Sequence, residues 1–261
     1  MELDRAVAGD SALHRADPRL KFIATIATIL TISLLPVGAF AALAILWVAM
    51  IVASAVAGLG PWRLSRGAFV ATPFLLAAAP IVFTAGGEPI AHVGPLEISA
   101  VGVVIFATVA TKSWVSVQAA LLLAYTTPFH DLIDALRDLR LPRILVAIIG
   151  FMYRYLAVLG DEASRMMRAR SARSAAAAEG AHRPGLGWRA RVTGQMVGSL
   201  FLRAYERSER IYAAMQARGF DGTFRHLASR SISARSWLAL AVLLAALAGF
   251  ELAAHTALPR A

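Results

Sequence analysis

The apolar residues of this chain gather in long runs that short polar segments separate. Four runs precede residue 127, at 20–35, 38–58, 67–84 and 98–126, and a fifth lies at 237–254. A helix needs roughly 20 apolar residues to cross the hydrocarbon core of a membrane. The run 38–58 is therefore a convincing span, whereas 20–35 is marginal in length. The pattern predicts an all-α polytopic membrane bundle of about five spans, or six if the segment 141–160 also crosses.

The polar segments between the first runs predict turns and one short helix. Residues 59–66, which hold Arg63 and Arg66, are predicted to be a loop, and the acidic segment AGGEPIAHVGPLE is predicted to lie outside the cell. The segment TTPFHDLIDALRDLRLP has an apolar stripe and a charged face, which is typical of an amphipathic helix. Thr127 is its predicted N-cap and Pro128 its first residue.

The segment 141–160 is predicted not to cross the membrane. Arginine flanks it on both sides, and the apolar run between Arg143 and Arg154 has only ten residues. A crossing would place one arginine cluster outside, against the usual excess of cationic residues in the cytosol. We therefore expect this segment to be buried in the bundle or to lie at the membrane interface.

A strongly basic stretch follows, and it predicts two polar helices. Residues 161–235 contain fourteen Arg, no Lys and six acidic residues, so they carry +8 of the formal net charge of +10. The first helix is expected from Asp161 to about Ala178, and the second from Trp188 to Arg218. Gly219 follows at a position that suits the left-handed residue closing a helix.

Composition places the chain among integral membrane proteins. It is 58% hydrophobic and 16% charged, whereas soluble domains are roughly a quarter charged. The basic charge need not indicate nucleic acid, because cytoplasmic loops of membrane proteins accumulate arginine, and we expect no nucleic-acid partner. The six His are scattered and Cys is absent, so no metal site is expected. The sequence also lacks a Walker A lysine motif, which argues against ATP hydrolysis by this chain.

Two Ala-Arg-small motifs stand out in the basic stretch. Small residues on both sides of an arginine let a helix approach a partner closely while the guanidinium enters a groove and makes several hydrogen bonds. The alternative is that these are ordinary cytosolic arginines near lipid headgroups. The candidate residues are Ala169, Arg170, Ser171, Ala172, Arg173 and Ser174 in the first helix, and Ala217, Arg218 and Gly219 at the end of the second.

The chain resembles the transmembrane (T) component of energy-coupling-factor transporters, in the cobalt-permease branch called CbiQ. The similarity lies in MYRYLAVLGDEASRMMRARSARS, ERIYAAMQARGFDG, LHRADPRLKFI and PFHDLIDALRDLRLP. The resemblance implies that the paired arginine motifs dock into two copies of an ATP-binding cassette subunit. Arg218 fits the second motif, while Arg170 and Arg173 both fit the first.

The same resemblance implies the partners and the location. ATP and Mg²⁺ would be bound by the partner subunits, so no cofactor and no catalytic residue is expected in this chain. A separate CbiM-like membrane subunit, with a small CbiN-like protein, would bind the transported ion, with cobalt as the first candidate and nickel as the second. A vitamin transporter remains an alternative substrate assignment. The expected location is the bacterial inner membrane, in contact with its lipid.

These expectations define the predicted organisation of the chain. Residues 1–19 form a cytosolic N-terminal arm, and 20–126 hold four spans. Residues 127–160 hold the amphipathic helix and the interfacial or buried helix. Residues 161–236 are the cytoplasmic coupling helices, and 237–261 are the last span and tail.

Two polar features inside or beside the spans call for an interpretation of their own. Asp131, Asp134 and Asp138 resemble the Mg²⁺-diphosphate motif of intramembrane prenyltransferases, although a second acidic motif is missing and neighbouring arginines favour a salt-bridged surface.

Lys112 lies within the fourth run and is costly there unless it faces the interior of the bundle. We expect it to pair with a carboxylate or with carbonyls that hold the bundle together, although contact with a partner subunit is the alternative.

Overall fold

The computed structural model describes residues 9–86, 89–93, 96–175, 185–220 and 233–257. The chain divides into two compact units. The bundle unit holds the described residues up to 139 together with 233–257, and the hairpin unit holds 140–175 and 185–220. The predicted all-α membrane fold is confirmed, because long apolar helices make up most of the described structure.

The bundle unit is built from nine helices and one pair of strands among the described residues. In chain order they are α1 (Ala12–Arg15), α2 (Pro18–Leu34), α3 (Phe40–Val56), α4 (Pro61–Ala68), α5 (Thr72–Ala78), α6 (Ile81–Thr84), β1 (Pro89–Val93), β2 (Leu96–Ser99), α7 (Ala100–Thr126), α8 (Phe129–Asp138) and α11 (Ala234–Ala257). A single turn of 3-10 helix, Phe69–Ala71, joins α4 to α5.

The core of the bundle unit lies where α2, α3, α7 and α11 meet. Pro36 cannot continue α2, and the chain turns through Gly38, whose φ is +85°. The buried cluster that surrounds this turn comprises Ile32, Leu35, Ala39, Leu43, Leu46, Val115 and Ala254. The residues that flank this turn, Leu35 and Ala39, are therefore part of the core, while Val37 between them is 56% exposed.

Both lysines of the chain close the C-terminal end of a neighbouring helix. Lys112 Nζ, on α7, donates to the carbonyl oxygens of Ser33 at 3.0 Å and Leu35 at 2.5 Å, at the end of α2. Lys21 Nζ, on α2, donates to the carbonyl oxygen of Thr126 at 2.9 Å, at the end of α7. The last carbonyls of a helix have no partner within it. Each of the antiparallel helices α2 and α7 therefore supplies a lysine that bonds to the terminal carbonyls of the other. The carbonyl-binding role expected for Lys112 is confirmed.

The third apolar run begins earlier than expected. Residues 61–66 are helical, so the predicted loop 59–66 is wrong beyond Gly60; Pro61 occupies the first position of α4, where its fixed φ suits a helix. Pro73 and Pro80 divide the remainder into α5 and α6. Helix α6 approaches α7 closely at Gly102, where a Cβ atom would lie 2.7 Å from the carbonyl oxygen of Ile81.

The acidic segment between α6 and α7 contains an element that the apolar pattern did not predict. Strands β1 and β2 pair antiparallel, with Val93 opposite Leu96 and an irregularity in register between Pro89 and Ala91. Ser99 then caps α7 by accepting a hydrogen bond from the Gly102 backbone N–H at 3.4 Å. The two short strands add a hairpin to an otherwise helical unit.

The predicted amphipathic helix is confirmed as α8, with a small shift at its start. Pro128, and not Thr127, occupies the N-cap, because Thr127 ends α7 in an extended conformation. The charged face is internally paired. Arg137 contacts Asp134 at 3.0 Å and Asp138 at 3.4 Å, and Arg19 forms an ion pair with Asp138. The salt-bridged interpretation of the aspartates is therefore confirmed for Asp134 and Asp138.

The hairpin unit consists of α9 (Arg143–Ala175) and α10 (Leu186–Ala217). The predicted boundary at 160/161 is wrong, since the helix expected to begin at Asp161 is a continuation of one that begins at Arg143. The amides of Leu145 and Val146 bond to the Pro142 carbonyl, and no proline follows before Ala175. Gly160 in a helix interior costs only about 1 kcal/mol relative to alanine.

Burial of 141–160, one of its two expected placements, is wrong for much of the segment, whereas a position at the membrane interface stays a prediction. Ile144 is 71% exposed, Met152 59% and Leu156 51%. Residues 143–173 are long and apolar enough to cross a membrane, so the length argument against a crossing fails.

About five candidate spans are present among the described helices, but their membership differs from the prediction. Length and composition select residues 61–84, 100–126, 143–173 and 234–256, with the shorter apolar helix α3 beside them. Helix α9 replaces α2 in the predicted set. The chain is therefore a multi-pass membrane protein.

Candidate functional site

The two arginine motifs lie on the antiparallel helices of the hairpin unit. Arg203 Nη1 donates to Glu162 Oε1 at 2.6 Å, and Arg170 Nη1 lies 3.4 Å from Thr193 Oγ1. As the residue number on α9 rises from 162 to 170, the number of the contacted residue on α10 falls from 203 to 193. This register places the end of α9 beside the start of α10.

The first motif contains two arginines in the same three-residue context, and their surroundings differ. Arg170 is half-buried against α10, with its guanidinium 5.6 Å from the centroid of the Trp188 ring and 4.0 Å from Met196 Sδ. Arg173 is exposed, and no hydrogen bond or ion pair of its guanidinium is found within the described parts of the chain. Arg173 is thus the arginine of the first motif that α10 leaves accessible.

The small residues of the first motif are solvent-facing. Ala169, Ser171 and Ala172 are exposed, and Ser171 Oγ donates to the Arg168 carbonyl oxygen at 2.8 Å. A serine hydroxyl that bonds to its own helix presents little bulk to a partner. The side chain of Ser174 lies outside the described residues. The helix surface around Arg173 therefore carries little side-chain bulk, so another backbone can approach it closely.

The second motif forms the C-terminal cap of α10. The Gly219 N–H bonds to the Gln216 carbonyl oxygen at 2.9 Å, and the Phe220 N–H to that of Met215 at 3.0 Å, the two bonds of a Schellman motif. Gly219 has φ of +76°, as its predicted closing role requires. Arg218 is exposed at the C-cap, so a fixed backbone presents its guanidinium.

The two accessible arginines are far apart along the hairpin. Arg218 ends α10, whereas Thr193, which contacts the neighbourhood of the first motif, lies 25 residues earlier. At 1.5 Å per residue this is roughly 37 Å of helix. One partner groove cannot hold both guanidinium groups, so the geometry suits two separate docking points.

A polar cleft of about 240 Å³ lies between the helices, nearer the middle of α10. Its lining residues are Val158, Leu159, Glu162, Leu200, Arg203, Ala204, Glu206, Arg207 and Arg210. Both carboxylates are engaged, Glu162 by Arg165 and Arg203, and Glu206 by Arg210 at 3.9 Å. The lining contains no Ser, Thr, Cys, His or Lys that could act as a nucleophile or a neutral general base. Its chemistry is that of an ion-pair contact between two helices.

An apolar stripe on α10 is exposed. Val197, Phe201, Tyr205 and Tyr212 recur on one helix face and are each more than half exposed. A contiguous exposed apolar face of this kind is typical of a surface covered by a membrane or by another protein.

The described side chains do not form a recognisable metal or cofactor site. Within the described ranges, no three or more His, Asp or Glu side chains lie close enough together to hold a metal ion. Asp131, the first aspartate of the triad, lies 3.2 Å from the imidazole of His130, and the other two aspartates are paired with arginines. The triad therefore does not present three free carboxylates to Mg²⁺.

Comparison with known proteins decides the family. The model of the cobalt transport protein family CbiQ matches residues 9–229. The chain belongs to this family. The predicted membership of the CbiQ branch is confirmed, and the match includes both arginine motifs of the hairpin unit.

Individual relatives carry three different names. The chain is 35% identical over 108 residues to the cobalt transport protein CbiQ of Rhodobacter capsulatus, covering 41% of each protein. It is 33% identical over 115 residues to the nickel permease LarQ of Lactiplantibacillus plantarum, covering 44% of this chain and 39% of the relative. These matches span about two fifths of the relatives. The energy-coupling factor transporter transmembrane protein EcfT of Listeria innocua is 27% identical over 85% of both chains.

Proposed function

We propose that this CbiQ-family chain is the energy-coupling membrane component of an ECF-type importer. It would link ATP hydrolysis by two copies of a partner ATP-binding subunit to uptake of a transition-metal ion through a separate substrate-binding membrane subunit. The observation that carries the proposal is the placement of Arg173 and Arg218. Each is exposed, flanked by small residues and presented near a helix end, and the two lie roughly 37 Å apart along one hairpin.

Arginine rather than lysine suits a docking role of this kind. The guanidinium presents five donors in a planar fork and can bond to several carboxylate or carbonyl oxygens of a groove at once. A lysine provides one compact charge and cannot reproduce that set of bonds. If the arginines served only to attract anionic lipid, either cation would suffice.

The family and its relatives support a metal ion as the transported substrate. The family model is described as a cobalt transport protein, and the named relatives include one cobalt protein and one nickel permease. We propose cobalt as the preferred ion, with nickel second and a vitamin as the alternative. ATP and Mg²⁺ would be held by the ATP-binding partners, and the substrate ion by a CbiM-like subunit with a small CbiN-like protein.

The proposed placement in the cell follows from the docking role. Both arginine motifs must face the compartment that contains ATP. Because the antiparallel register places Arg218 beside the start of α9 and Arg173 at its end, we propose that α9 does not cross the membrane, although its length would allow it, and that both helix ends lie in the cytoplasm. The protein would then reside in the inner membrane of a bacterium. The exposed stripe Val197–Phe201–Tyr205–Tyr212 is proposed to contact membrane lipid or the substrate-binding subunit, and so to pass motion of the hairpin to it.

The decisive experiment is co-purification of the tagged chain from its native host, followed by charge reversal at the two motifs. We expect an ATP-binding subunit and a second membrane subunit to co-purify with the wild type. Arg218→Glu and Arg173→Glu should each abolish recovery of the ATP-binding subunit and transport-linked ATPase activity. Arg191→Glu is the matched control, because Arg191 is an exposed arginine of α10 outside both motifs.

The conservative variant separates docking from lipid attraction. Arg218→Lys keeps the charge and should still impair assembly if a groove requires the guanidinium fork. Full assembly and coupled ATPase activity in both Arg218→Glu and Arg173→Glu would refute the proposed function. Uptake of radioactive cobalt with nickel as competitor, in cells that carry the whole transporter, tests the proposed ion.

A further inference from the structure

The repeated sequence Ala-Arg-Ser in α9 places two arginines three residues apart, and only the first reaches α10. Arg170 approaches Trp188 and Thr193, whereas Arg173 is exposed. Identical local sequence therefore has two different environments. The difference comes from helix geometry, because residues three apart are offset by about 60° around a helix of 3.6 residues per turn.

The contacts of Arg170 span more than one turn of α10. Its guanidinium carbon lies 5.6 Å from the Trp188 ring centroid, within the usual range of a cation–π contact. Its Nη1 lies 3.4 Å from Thr193 Oγ1 and 4.0 Å from Met196 Sδ. One side chain thus holds three residues of α10 close to where that helix begins.

A second contact of the hairpin lies further from this end. Glu162 and Arg203 are joined at 2.6 Å, eight residues before Arg170 on α9 and ten residues after Thr193 on α10. These separations are roughly 12 and 15 Å of helix. Two helices joined at one point can pivot about it, whereas a second contact at this distance restricts the angle between them.

We propose that Arg170 is a positioning residue that latches the end of α9 to the start of α10. Through Trp188 and Thr193 it restricts pivoting about the Glu162–Arg203 contact, and it thereby fixes where Arg173 is presented. The two arginines of the repeat then have separate roles, one within the chain and one towards a partner. The latch itself concerns the hairpin alone, so its test is independent of the proposed docking role.

The test measures the separation of the two helices in the full chain. Because the sequence has no cysteine, Met167→Cys on α9 and Ala190→Cys on α10 introduce a single spin-label pair at exposed positions. Electron–electron double resonance in lipid nanodiscs gives the distance distribution. Arg170→Met and Trp188→Ala should each lengthen the mean distance and broaden the distribution, since each removes one side of the same contact.

Arg173→Met is the matched control, because it makes the same substitution in the same local sequence. It should leave the distance distribution unchanged. The double variant Arg170→Met/Trp188→Ala should shift the distribution no further than the larger single variant, as expected for two residues that act through one contact. Arg170→Lys should restore part of the wild-type distribution, because a cation over the Trp188 ring is retained.

Two results would overturn the latch. One is an unchanged distribution in both Arg170→Met and Trp188→Ala, and the other is an equal shift in Arg173→Met. Circular dichroism and size-exclusion chromatography identify a variant that fails to fold. In that case the remaining single variant decides the result, because the contact is broken from either helix.

Discussion

The bundle unit and the hairpin unit use their cations in different ways. In the bundle unit, Lys21 and Lys112 turn inward and donate to backbone carbonyl oxygens of a neighbouring helix. In the hairpin unit the cations are all arginine; Arg173 and Arg218 are exposed at helix ends, while Arg170 contacts the facing helix. A compact ammonium suits the one or two carbonyl oxygens at the end of a helix, and a planar guanidinium suits a larger set of acceptors or an aromatic face.

The same contrast holds for the packing of the two units. The bundle unit has a buried apolar cluster and at least one backbone contact that leaves no space for a Cβ atom, at Gly102. Along α10 of the hairpin unit, Gly194 and Gly198 have open space around them, and large apolar side chains are exposed. Large apolar side chains are exposed in both units, Trp62, Phe74 and Leu238 among those of the bundle unit. The difference lies in the interior, because the bundle unit encloses an apolar cluster whereas α10 buries none of its residues.

The largest expected effect tests this packing difference with one substitution at two glycines. Gly102→Ala should lower the free energy of unfolding towards the upper end of about 1–3 kcal/mol, because the new methyl group meets the backbone of Ile81 and Val82, which cannot rotate away. Gly198→Ala should instead stabilise α10 by about 0.5–1 kcal/mol. Thermal unfolding in detergent measures both, and a similar midpoint for the two variants would contradict the comparison.

A somewhat smaller effect is expected when an inward cation is removed. Lys112→Met keeps an apolar side chain of similar length but leaves the Leu35 carbonyl, in a core position, without its donor. An unsatisfied buried acceptor costs about 1–3 kcal/mol, so a fall of about 2 kcal/mol in stability is expected. Arg203→Met in the hairpin unit should lower the thermal midpoint less, because its ion pair with Glu162 is solvent-exposed on the arginine side.

The cap of α10 should respond locally to substitution. Gly219→Ala forces a side chain into a backbone with φ of +76°, which costs about 1–2 kcal/mol for a residue other than glycine. The Phe220 amide, which bonds to the Met215 carbonyl oxygen at 3.0 Å, should then exchange its hydrogen faster. Gly194→Ala, within the same helix, is the control, and equal exchange at Phe220 in both variants would show that the cap does not depend on glycine.

The smallest effect on stability is expected at the exposed arginine of the first motif. Arg173→Met removes a cation that has no ion pair within the described ranges, so the thermal midpoint should be unchanged. Recovery of the ATP-binding partner should nevertheless fall. A substantial loss of stability would mean that Arg173, like Arg170, holds the hairpin together, and would remove the distinction between the two arginines.

Sequence pattern was sufficient for the elements whose local signals agree. Helix α10 was predicted within two residues of each bound, because its periodic pattern ends at a glycine that can adopt positive φ. The single helix α9 was missed because counting arginines on both sides suggested two segments. Backbone hydrogen bonding continues through Arg154 and Gly160, neither of which terminates a helix.

The candidate site was predictable in position but not in detail. The spacing of Ala-Arg-Ser and Ala-Arg-Gly located the motifs near helix ends, and the Schellman cap of Arg218 follows from Gly219. The difference between Arg170 and Arg173 depends on which face of α9 meets Trp188. That contact joins residues 18 positions apart on two different helices, and no local pattern encodes it.

The reciprocal lysine contacts also constrain how the protein is made. The Lys112 donor lies 77 residues after the Leu35 carbonyl that it serves. At about 5–20 residues per second, a ribosome reaches Lys112 roughly 4–15 s after Leu35. Helix α2 is therefore synthesised before the donor for its last carbonyls exists. When α7 is synthesised, by contrast, Lys21, the donor for its last carbonyl, is already present. Closure of the end of α2 therefore waits for residue 112, and closure of the end of α7 waits for residue 126, so neither helix of the pair is completed before α7 has been made.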